Sequence, residues 1–227
     1  MTTLFPFDDS GIPLTYGLQL GLVQGHREGI LIRPSEPGKP DCIRVRYYGT
    51  VIRIDGQFRM WYMGLGDQDE KYRVCYAVSQ DGIHWQKPEL GLIEYNGNTR
   101  NNLVDLLDGQ HSVVLMPLIH DPEDPDPARR FKMAFESDKY HNRIGVAFSA
   151  DGLHWVESPH NPVTVHSFEQ SGLIKFDGCY YVNGQGGGPR PGPPRQMITH
   201  MSYDFEHWTQ ATALSFQRSG GVMPLPS

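Results

Sequence analysis

Three short segments of the chain each place an aspartate, a histidine and a tryptophan close together. They are SQDGIHW at Ser79–Trp85, SADGLHW at Ser149–Trp155 and SYDFEHW at Ser202–Trp208. An aspartate beside a histidine can exchange protons in catalysis or hold a metal ion, whereas an aspartate turn followed by an aromatic residue can be purely structural. An active centre is rarely triplicated in one chain, so the repetition favours a structural turn.

Each segment follows a second repeated pattern, in which an apolar stretch reaches an aspartate turn and an aromatic stretch follows. The turn aspartates Asp55, Asp121 and Asp177 precede the aspartate of the next segment by 26, 30 and 27 residues. Alternating β-favouring residues between turn residues predict four short strands in each unit. Sustained helical periodicity is lacking, so little helix is expected.

Repeated four-stranded units of this size are typical of an all-β propeller, whose blades pack around a central channel. We expect one domain with an N-terminal segment 1–45 and blades at about 46–90, 108–160 and 167–212. The tryptophan of each repeated segment would pack between neighbouring blades. Because propellers usually need at least four blades, three blades predict an incomplete propeller, the N-terminal part of a larger protein, and self-association through its open edge.

Three stretches resemble the five-bladed propellers of the glycoside hydrolase family 32 and 43 superfamily, in particular a bacterial group described as hydrolase-like. The stretches are YYGTVIRIDGQFRMWYMG, YAVSQDGIHWQKPELGLIEYNGNTRNNLV and RQMITHMSYDFEHWTQ, and the likeness runs from about Ile32 to Trp208. The repeated segment is itself similar to the structural Asp-box hairpin of sialidases. The resemblance implies carbohydrate chemistry performed by carboxylates at the mouth of the channel.

The register of the repeats predicts which residues reach that mouth. In a propeller the first strand of each blade lines the channel, and here the turn aspartates mark its far end. Counting back eight residues from each aspartate gives Tyr47, Val113 and Glu169. Side chains alternate along a strand, so His111 would share the face of Val113. The predicted mouth group is Tyr47, His111 and Glu169.

The resemblance implies that Glu169 is the general acid, because the family's glutamate begins the inner strand of the third blade. A glycosidase needs one protonated carboxyl group to donate to the leaving oxygen; the alternative is a solvated loop glutamate. His111 would act as a base or bind a sugar hydroxyl, unless it is structural.

Four further residues are candidates for binding the substrate. Tyr47 and Tyr48 would stack on a sugar ring, although aromatic residues in such strands more often belong to the core. Arg46 would hold ligand hydroxyls or a carboxylate, or be a solvated edge residue. Arg195 matches an arginine of the resembling sequences whose role is not assigned.

The chain departs from the family in the first blade, where the base or nucleophile is an aspartate and this sequence has Tyr47-Tyr48. Without a second carboxylate the two-carboxylate mechanism lacks a base. We therefore predict a glycoside hydrolase-like protein that acts on or binds a carbohydrate at the channel mouth. The alternatives are a non-catalytic sugar-binding or scaffold propeller and a truncated, inactive fragment.

Composition restricts the partners. The net charge of -6 gives no reason to expect nucleic acid or an anionic membrane as partner. The first residues show no signal-peptide pattern, which favours a cytoplasmic location. Three scattered cysteines and dispersed histidines predict neither a disulfide framework nor a metal site, and no cofactor is expected.

Overall fold

The computed structural model describes residues 16–17, 24–167, 169–186, 196–210 and 213–214. Within them the chain forms three antiparallel sheets that follow one another along the sequence, here called blades 1, 2 and 3. Blade 1 consists of β1 (Arg44–Ile54), β2 (Gln57–Leu65), β3 (Tyr72–Ser79) and β4 (Trp85–Gln86). Blade 2 consists of β5 (Val113–Val114), β6 (Leu118–His120), β7 (Phe131–Ser137), β8 (Arg143–Ser149) and β9 (Val156–Glu157). Blade 3 consists of β10 (Glu169–Phe176), β11 (Cys179–Gly186), β12 (Gln196–Ser202) and β13 (Ala213–Leu214).

Helical structure in the described residues is limited to three short 3-10 turns, at Leu107–Gly109, Pro127–Arg129 and Asp138–Tyr140. No described helix is long and apolar enough to cross a membrane.

Two-residue turns set the register of blades 1 and 3. Asp55 and Gly56 have φ angles of 50° and 82°, and Asp177 and Gly178 have φ angles of 48° and 73°. Positive φ at both central residues defines the hairpin turn whose twist matches that of the strands, which explains the Asp-Gly pairs. In blade 2 a longer turn replaces this pair, and Asp126 caps its 3-10 turn by accepting a hydrogen bond from Ala128 N at 2.9 Å.

The three repeated segments form the same turn, which connects the third and fourth strand of each blade. In the second copy Asp151 Oδ1 accepts hydrogen bonds from the backbone N–H groups of Leu153 at 2.7 Å and His154 at 2.9 Å. Trp155 Nε1 donates to Gly152 O at 3.0 Å. The copies at Asp81 and Asp204 repeat these bonds. The aspartates and histidines of the segments are therefore occupied within a structural turn.

Two apolar cores join the blades face to face. The core between blades 1 and 2 contains Trp61, Phe131, Met133 and Trp155, and Trp61 Nε1 donates to Gly152 O at 2.7 Å across this interface. The core between blades 2 and 3 contains residues of both sheets, namely Ala134, Ile144, Val146, Phe148, Tyr180, Val182, Phe205 and Trp208. Blades 2 and 3 thus bury their tryptophan-bearing turns against the preceding blade. The predicted all-β, propeller-type fold with three blades is confirmed.

Candidate functional site

The first strand of each blade is irregular near its beginning. In β1 the pairing with β2 passes from Arg46–Met63 to Thr50–Trp61, so two extra residues lie on β1. In β10 the pairing with β11 passes from Gln170–Gly184 to Gly172–Asn183, which leaves Ser171 as one extra residue. Such bulges bend a strand and redirect its side chains, and they are frequent beside active sites.

Blade 2 breaks its first strand altogether at the same level. The short strands β5 and β6 both pair with β7, and they are separated by residues 115–117. Leu115 has a φ angle of 50°, in the left-handed region that a leucine rarely adopts. Pro117 follows and cannot donate a backbone hydrogen bond to the ladder. The interruption allows β10 of blade 3 to contact β7 directly.

Glycines allow the backbone to approach closely at two of these irregularities. A Cβ atom at Gly49 would lie 2.0 Å from Trp61 O, and one at Gly184 would lie 2.1 Å from Glu169 O. Neither position can therefore hold a larger residue without displacing the backbone. The bends of the first strands therefore require glycine at these two positions, in β1 itself and in β11 opposite β10.

Hydrogen bonds connect the irregular segments from blade to blade. Met116 N donates to Tyr48 O at 2.9 Å, which joins blade 2 to blade 1. Gln170 Nε2 donates to Leu115 O, which joins blade 3 to blade 2. Gln170 is 1% exposed, and its Oε1 atom has no hydrogen-bond partner among the described residues. An unpaired buried amide oxygen is costly, so this atom is a candidate acceptor for a water or ligand hydroxyl.

These segments enclose a cleft of about 490 Å³, which we call the axial cleft. It is lined by residues of the irregular first strands of all three blades and of the adjoining strands of blade 3: Tyr48, Leu115, Glu169, Gln170, Ser171, Gly184, Gln185 and Met197. A volume of several hundred Å³ is typical of sites for small molecules. The lining combines an aromatic ring and apolar side chains with hydroxyl, amide and carboxylate groups.

Two carboxyl groups interact electrostatically at this place. Glu169 is exposed in the cleft and accepts a hydrogen bond from Gln185 Nε2 at 2.8 Å. Burial, together with the negative charge of Glu169, raises the pKa of the half-buried Glu136 from 4.5 to about 7. Glu136 therefore keeps its proton to a higher pH than an ordinary glutamate, as expected for a partly buried carboxyl group near a negative charge.

The position of Glu136 follows from the pleat of β7. Phe131, Met133 and Phe135 pack into the core between blades 1 and 2, whereas Ala134 packs into the core between blades 2 and 3. Glu136 therefore shares the face of Ala134, which is turned toward blade 3. The sequence analysis missed this residue because it considered only first strands. An acidic residue near the end of the strand FKMAFES, whose other charged residue is Lys132, is the signal that could have found it.

The structure brings together Glu169 and Tyr48 of the predicted site residues. Tyr47 lies on the other side of β1, where it lines a second groove with Val51, Phe58 and Trp85. The counting that placed Tyr47 at the mouth assumed a regular strand, and the extra residues in β1 invalidate that assumption.

His111 is another member of the predicted mouth group that lies outside the axial cleft. Its Nδ1 atom lies 3.0 Å from Asp138 Oδ1, beside the turn between β7 and β8, and His111 is not among the residues that line the axial cleft. The break between β5 and β6 shifts the register that had placed it on the channel face.

Of the two arginines in the predicted site, the structure describes the position of Arg46 only. Arg46 lies with its guanidinium group 5.3 Å from the ring of Tyr72, and it does not line the cleft. Arg195 lies outside the described residues.

Two other aspartates near the blades are structural. Asp41 is fully buried, and its Oδ2 accepts hydrogen bonds from Lys87 Nζ at 2.5 Å and Tyr62 OH at 2.7 Å. Asp121 follows β6 at the far end of that strand and accepts a hydrogen bond from Tyr180 OH at 2.6 Å. Neither aspartate replaces the missing carboxylate of blade 1. Among the described residues no cluster of three or more histidine, cysteine or acidic side chains could hold a metal ion.

No family model matches the chain. The uncharacterised proteins MT1551 and Rv1502 of Mycobacterium tuberculosis, from strains CDC 1551 and H37Rv, are each 29% identical to it over 113 residues. That segment makes up 48% of this chain and 32% of each relative. The match therefore spans about a third of the length of these curated relatives.

Solved structures of glycoside hydrolases have the same fold. One glycoside hydrolase superposes with a TM-score of 0.57 at 17% identity, over 84% of this chain and 62% of that chain. Another structure comes from the GH130 family of mannoside phosphorylases, which contains glycoside hydrolases that target β-1,2 mannosidic linkages in Candida mannan. It superposes with a TM-score of 0.55 at 15% identity, over 92% of this chain and 64% of that chain. Identities this low show the fold alone, and the chain has the β-propeller fold of these glycoside hydrolases.

Proposed function

We propose that the protein binds a carbohydrate in the axial cleft and hydrolyses a glycosidic bond there. The observation that carries this proposal is the pair of interacting carboxyl groups, Glu136 and Glu169, where blades 2 and 3 meet. Glycosidic hydrolysis needs one protonated and one ionised carboxyl group, and the raised pKa of Glu136 near the negative charge of Glu169 suits two carboxyl groups to these different states. The glycoside hydrolase fold of the structural neighbours supports the same assignment.

Glu169 is the member of the pair that meets the sugar, because it lines the cleft. In the reaction a protonated Glu169 donates its proton to the leaving glycosidic oxygen as the bond to the anomeric carbon breaks. A water molecule adds its hydroxyl group to that carbon, and its remaining proton returns to the carboxylate pair. Atoms and charge therefore balance, and no further co-reactant is needed.

The other lining residues match the chemistry of a sugar. Tyr48 offers an aromatic face and a hydroxyl group, which suit the mixed apolar and polar surface of a pyranose ring. Ser171 and Gln185 add hydrogen-bonding groups at the cleft. The unpaired Oε1 atom of Gln170 would accept a hydrogen bond from a hydroxyl group or from a water that bridges to it.

The test is a screen of the purified chain against aryl glycosides and oligosaccharides, including β-1,2-linked mannosides because of the GH130 neighbour. Glu169→Gln should lower turnover by about 10²- to 10⁴-fold, the usual contribution of general acid catalysis, while sugar binding measured by calorimetry persists. Glu94→Gln is the matched control, because Glu94 is exposed on a loop of blade 1 and does not line the cleft. Equal turnover by Glu169→Gln and the control would refute the assignment.

A second candidate is sugar binding without catalysis. It is favoured by one observation: Glu169 is the single carboxylate among the described residues that line the cleft, and blade 1 contributes Tyr48 there. This alternative predicts saturable binding of a sugar by calorimetry with no release of reducing ends. Turnover that depends on Glu169 would exclude it.

A further inference from the structure

Two exposed arginines, Arg44 and Arg46, lie at the beginning of β1, at the end of the strand that is opposite the Asp55 turn. Arg46 pairs with Met63 across the sheet, and cross-strand partners share one face. Met63 packs into the core between blades 1 and 2, so Arg46 is on the side of blade 1 that is turned toward blade 2. Arg44, two residues earlier on the strand, shares this face.

One tyrosine of β3 holds both arginine side chains. Tyr72 OH accepts a hydrogen bond from Arg44 Nη1 at 3.1 Å. The Cζ atom of Arg46 lies 5.3 Å from the centre of the Tyr72 ring, within the range of a cation–π contact. Tyr72 N donates to Ser112 Oγ at 3.2 Å, which fixes the tyrosine to the beginning of blade 2. The two guanidinium groups are therefore positioned by the fold.

Neither guanidinium group of this pair forms an ion pair with a carboxylate among the residues that the structure describes. The carboxylates of the adjoining turns bind other groups. Asp69 accepts hydrogen bonds from both terminal nitrogens of Arg73, at 2.9 and 2.7 Å, and Asp138 Oδ1 lies 3.0 Å from His111 Nδ1. In a chain of net charge -6, this pair of cations is a local exception that favours an anionic ligand.

The arginine pair, Arg44 and Arg46, continues the wall of the axial cleft that blade 1 provides. Tyr48 lines the cleft and lies two residues after Arg46 on β1. Along the strand, the backbones of Arg46 and Arg44 are therefore at most about 7 Å and 14 Å from that of Tyr48. A ligand in the cleft would reach the arginine pair with a neighbouring sugar unit, beyond the unit that contacts Tyr48. This position does not depend on what packs against the opposite side of blade 1.

We propose that Arg44 and Arg46 form a subsite for an acidic sugar, so that the ligand of the axial cleft is an oligosaccharide with a carboxylate on this neighbouring unit. The inference rests on the proposed function, because it extends the sugar site of the cleft. A guanidinium group presents its N–H donors in one plane, which matches the two oxygens of a carboxylate. Since Tyr72 already positions both groups, binding orders little that is mobile.

A carboxylate on the sugar fits this location better than a free anion that attacks the glycosidic bond. Glu169, the proposed acid, is on blade 3, whereas the arginine pair is on blade 1 beyond Tyr48. An anion held there is therefore displaced along β1 from the bond that reacts. It belongs to a part of the ligand that determines specificity.

Calorimetry on the Glu169→Gln variant, in which turnover is suppressed, tests the proposal. The probes are trimers of galacturonic, glucuronic and mannuronic acid, each compared with its carboxyl-reduced counterpart. At least one acidic trimer should bind more tightly than its reduced form, and added salt should weaken this preference. Arg44→Gln and Arg46→Gln should each weaken the acidic trimer about 5-fold, as expected for an exposed ion pair, and leave the reduced trimer unchanged.

Arg53→Gln is the matched control. Arg53 is exposed on the same strand, and its guanidinium group lies 5.4 Å from the ring of Phe58, but it is next to the Asp55 turn at the other end of β1. This variant should bind both trimers with unchanged affinity. An equal loss of affinity in Arg53→Gln and Arg46→Gln would overturn the proposal.

The remaining outcomes separate this subsite from the proposed function. Equal affinity for the acidic and reduced trimers would overturn the acidic subsite and leave the axial cleft as a sugar site. Binding of the acidic trimer that is weakened by Arg46→Gln but not by Tyr48→Ala would support the subsite and contradict the proposed function. Inorganic phosphate that competes with the affinity of the acidic trimer would overturn the assignment to a sugar carboxylate. Absence of binding by every trimer would overturn both.

Discussion

Glu136→Gln, which replaces the half-buried glutamate of β7, should change how the stability of the protein depends on pH. Burial, and the charge of Glu169, raise the pKa of Glu136 from 4.5 to about 7 in the folded chain. The unfolded chain releases this proton more readily, so the group's contribution is fully present below pH 4.5 and is lost as the pH rises through about 7. Glu136→Gln removes the titrating group and hence this loss.

The magnitude follows from the same shift. A difference of about 2.5 pKa units corresponds to about 3.4 kcal/mol of free energy at full strength. Glu136 is only partly buried, and solvent screening reduces this to about 1–2 kcal/mol. At pH 8 we therefore expect Glu136→Gln to unfold about 2–8 °C above the native chain.

The assay is urea unfolding and thermal unfolding of both proteins between pH 4.5 and pH 8. The stability difference between Glu136→Gln and the native chain should grow with pH and level off above pH 7. Glu169→Gln should reduce the difference only in part, because burial is the larger cause of the raised pKa. Glu94→Gln should leave the pH profile unchanged. Parallel profiles for Glu136→Gln and the native chain would show that the pKa of Glu136 is not raised in the folded protein.

Three further outcomes can be measured on the same protein. Gly152→Ala should lower the melting temperature more than Gly56→Ala. Both glycines have positive φ, but a Cβ at Gly152 would lie 2.6 Å from Trp61, whereas Gly56 faces open space. Equal losses in melting temperature would contradict the interblade contact. Asp151→Asn should weaken the loss of stability at acid pH. Burial raises the pKa of Asp151, but its hydrogen bonds outweigh burial and lower this pKa from 3.8 to about 2. The stabilisation is therefore present above pH 3.8 and disappears as the pH falls through about 2, and an unchanged loss of stability in acid would contradict this. Tyr48→Ala should weaken sugar binding in calorimetry by about 5- to 10-fold through loss of the aromatic face, and unchanged affinity would remove Tyr48 from the site.

The fold could be predicted because it depends on local signals that recur. The Asp-Gly pair at Asp55 requires positive φ angles, and the serine, aspartate and tryptophan of each repeated segment satisfy one another within seven residues. Such features are visible in the sequence without knowledge of distant contacts. Their spacing then determines the strands and the blades.

The cleft could be predicted only in part, because it depends on departures from the repeat. Tyr48 reaches it instead of Tyr47, because the pairing of β1 is irregular between Arg46 and Thr50 and neighbouring residues of a strand point to opposite faces. His111 was placed by counting along a strand that in fact breaks at Leu115. Gly49 and Pro117 lie at these irregularities, but neither residue by itself indicates how many residues the strand gains or where it breaks.

The irregular first strands connect the cleft to the packing of the blades. In a regular ladder the carbonyl groups of Tyr48 and Leu115 would bond within their own sheets. Because the strands bulge or break there, these groups accept hydrogen bonds from Met116 N and Gln170 Nε2 of the next blade. The same distortion therefore opens the cleft and joins its three walls. It follows that the position of Glu169 on blade 3 relative to blade 2 depends on the interblade contact of its neighbour Gln170, so the carboxylate of the cleft is placed by the packing of the blades.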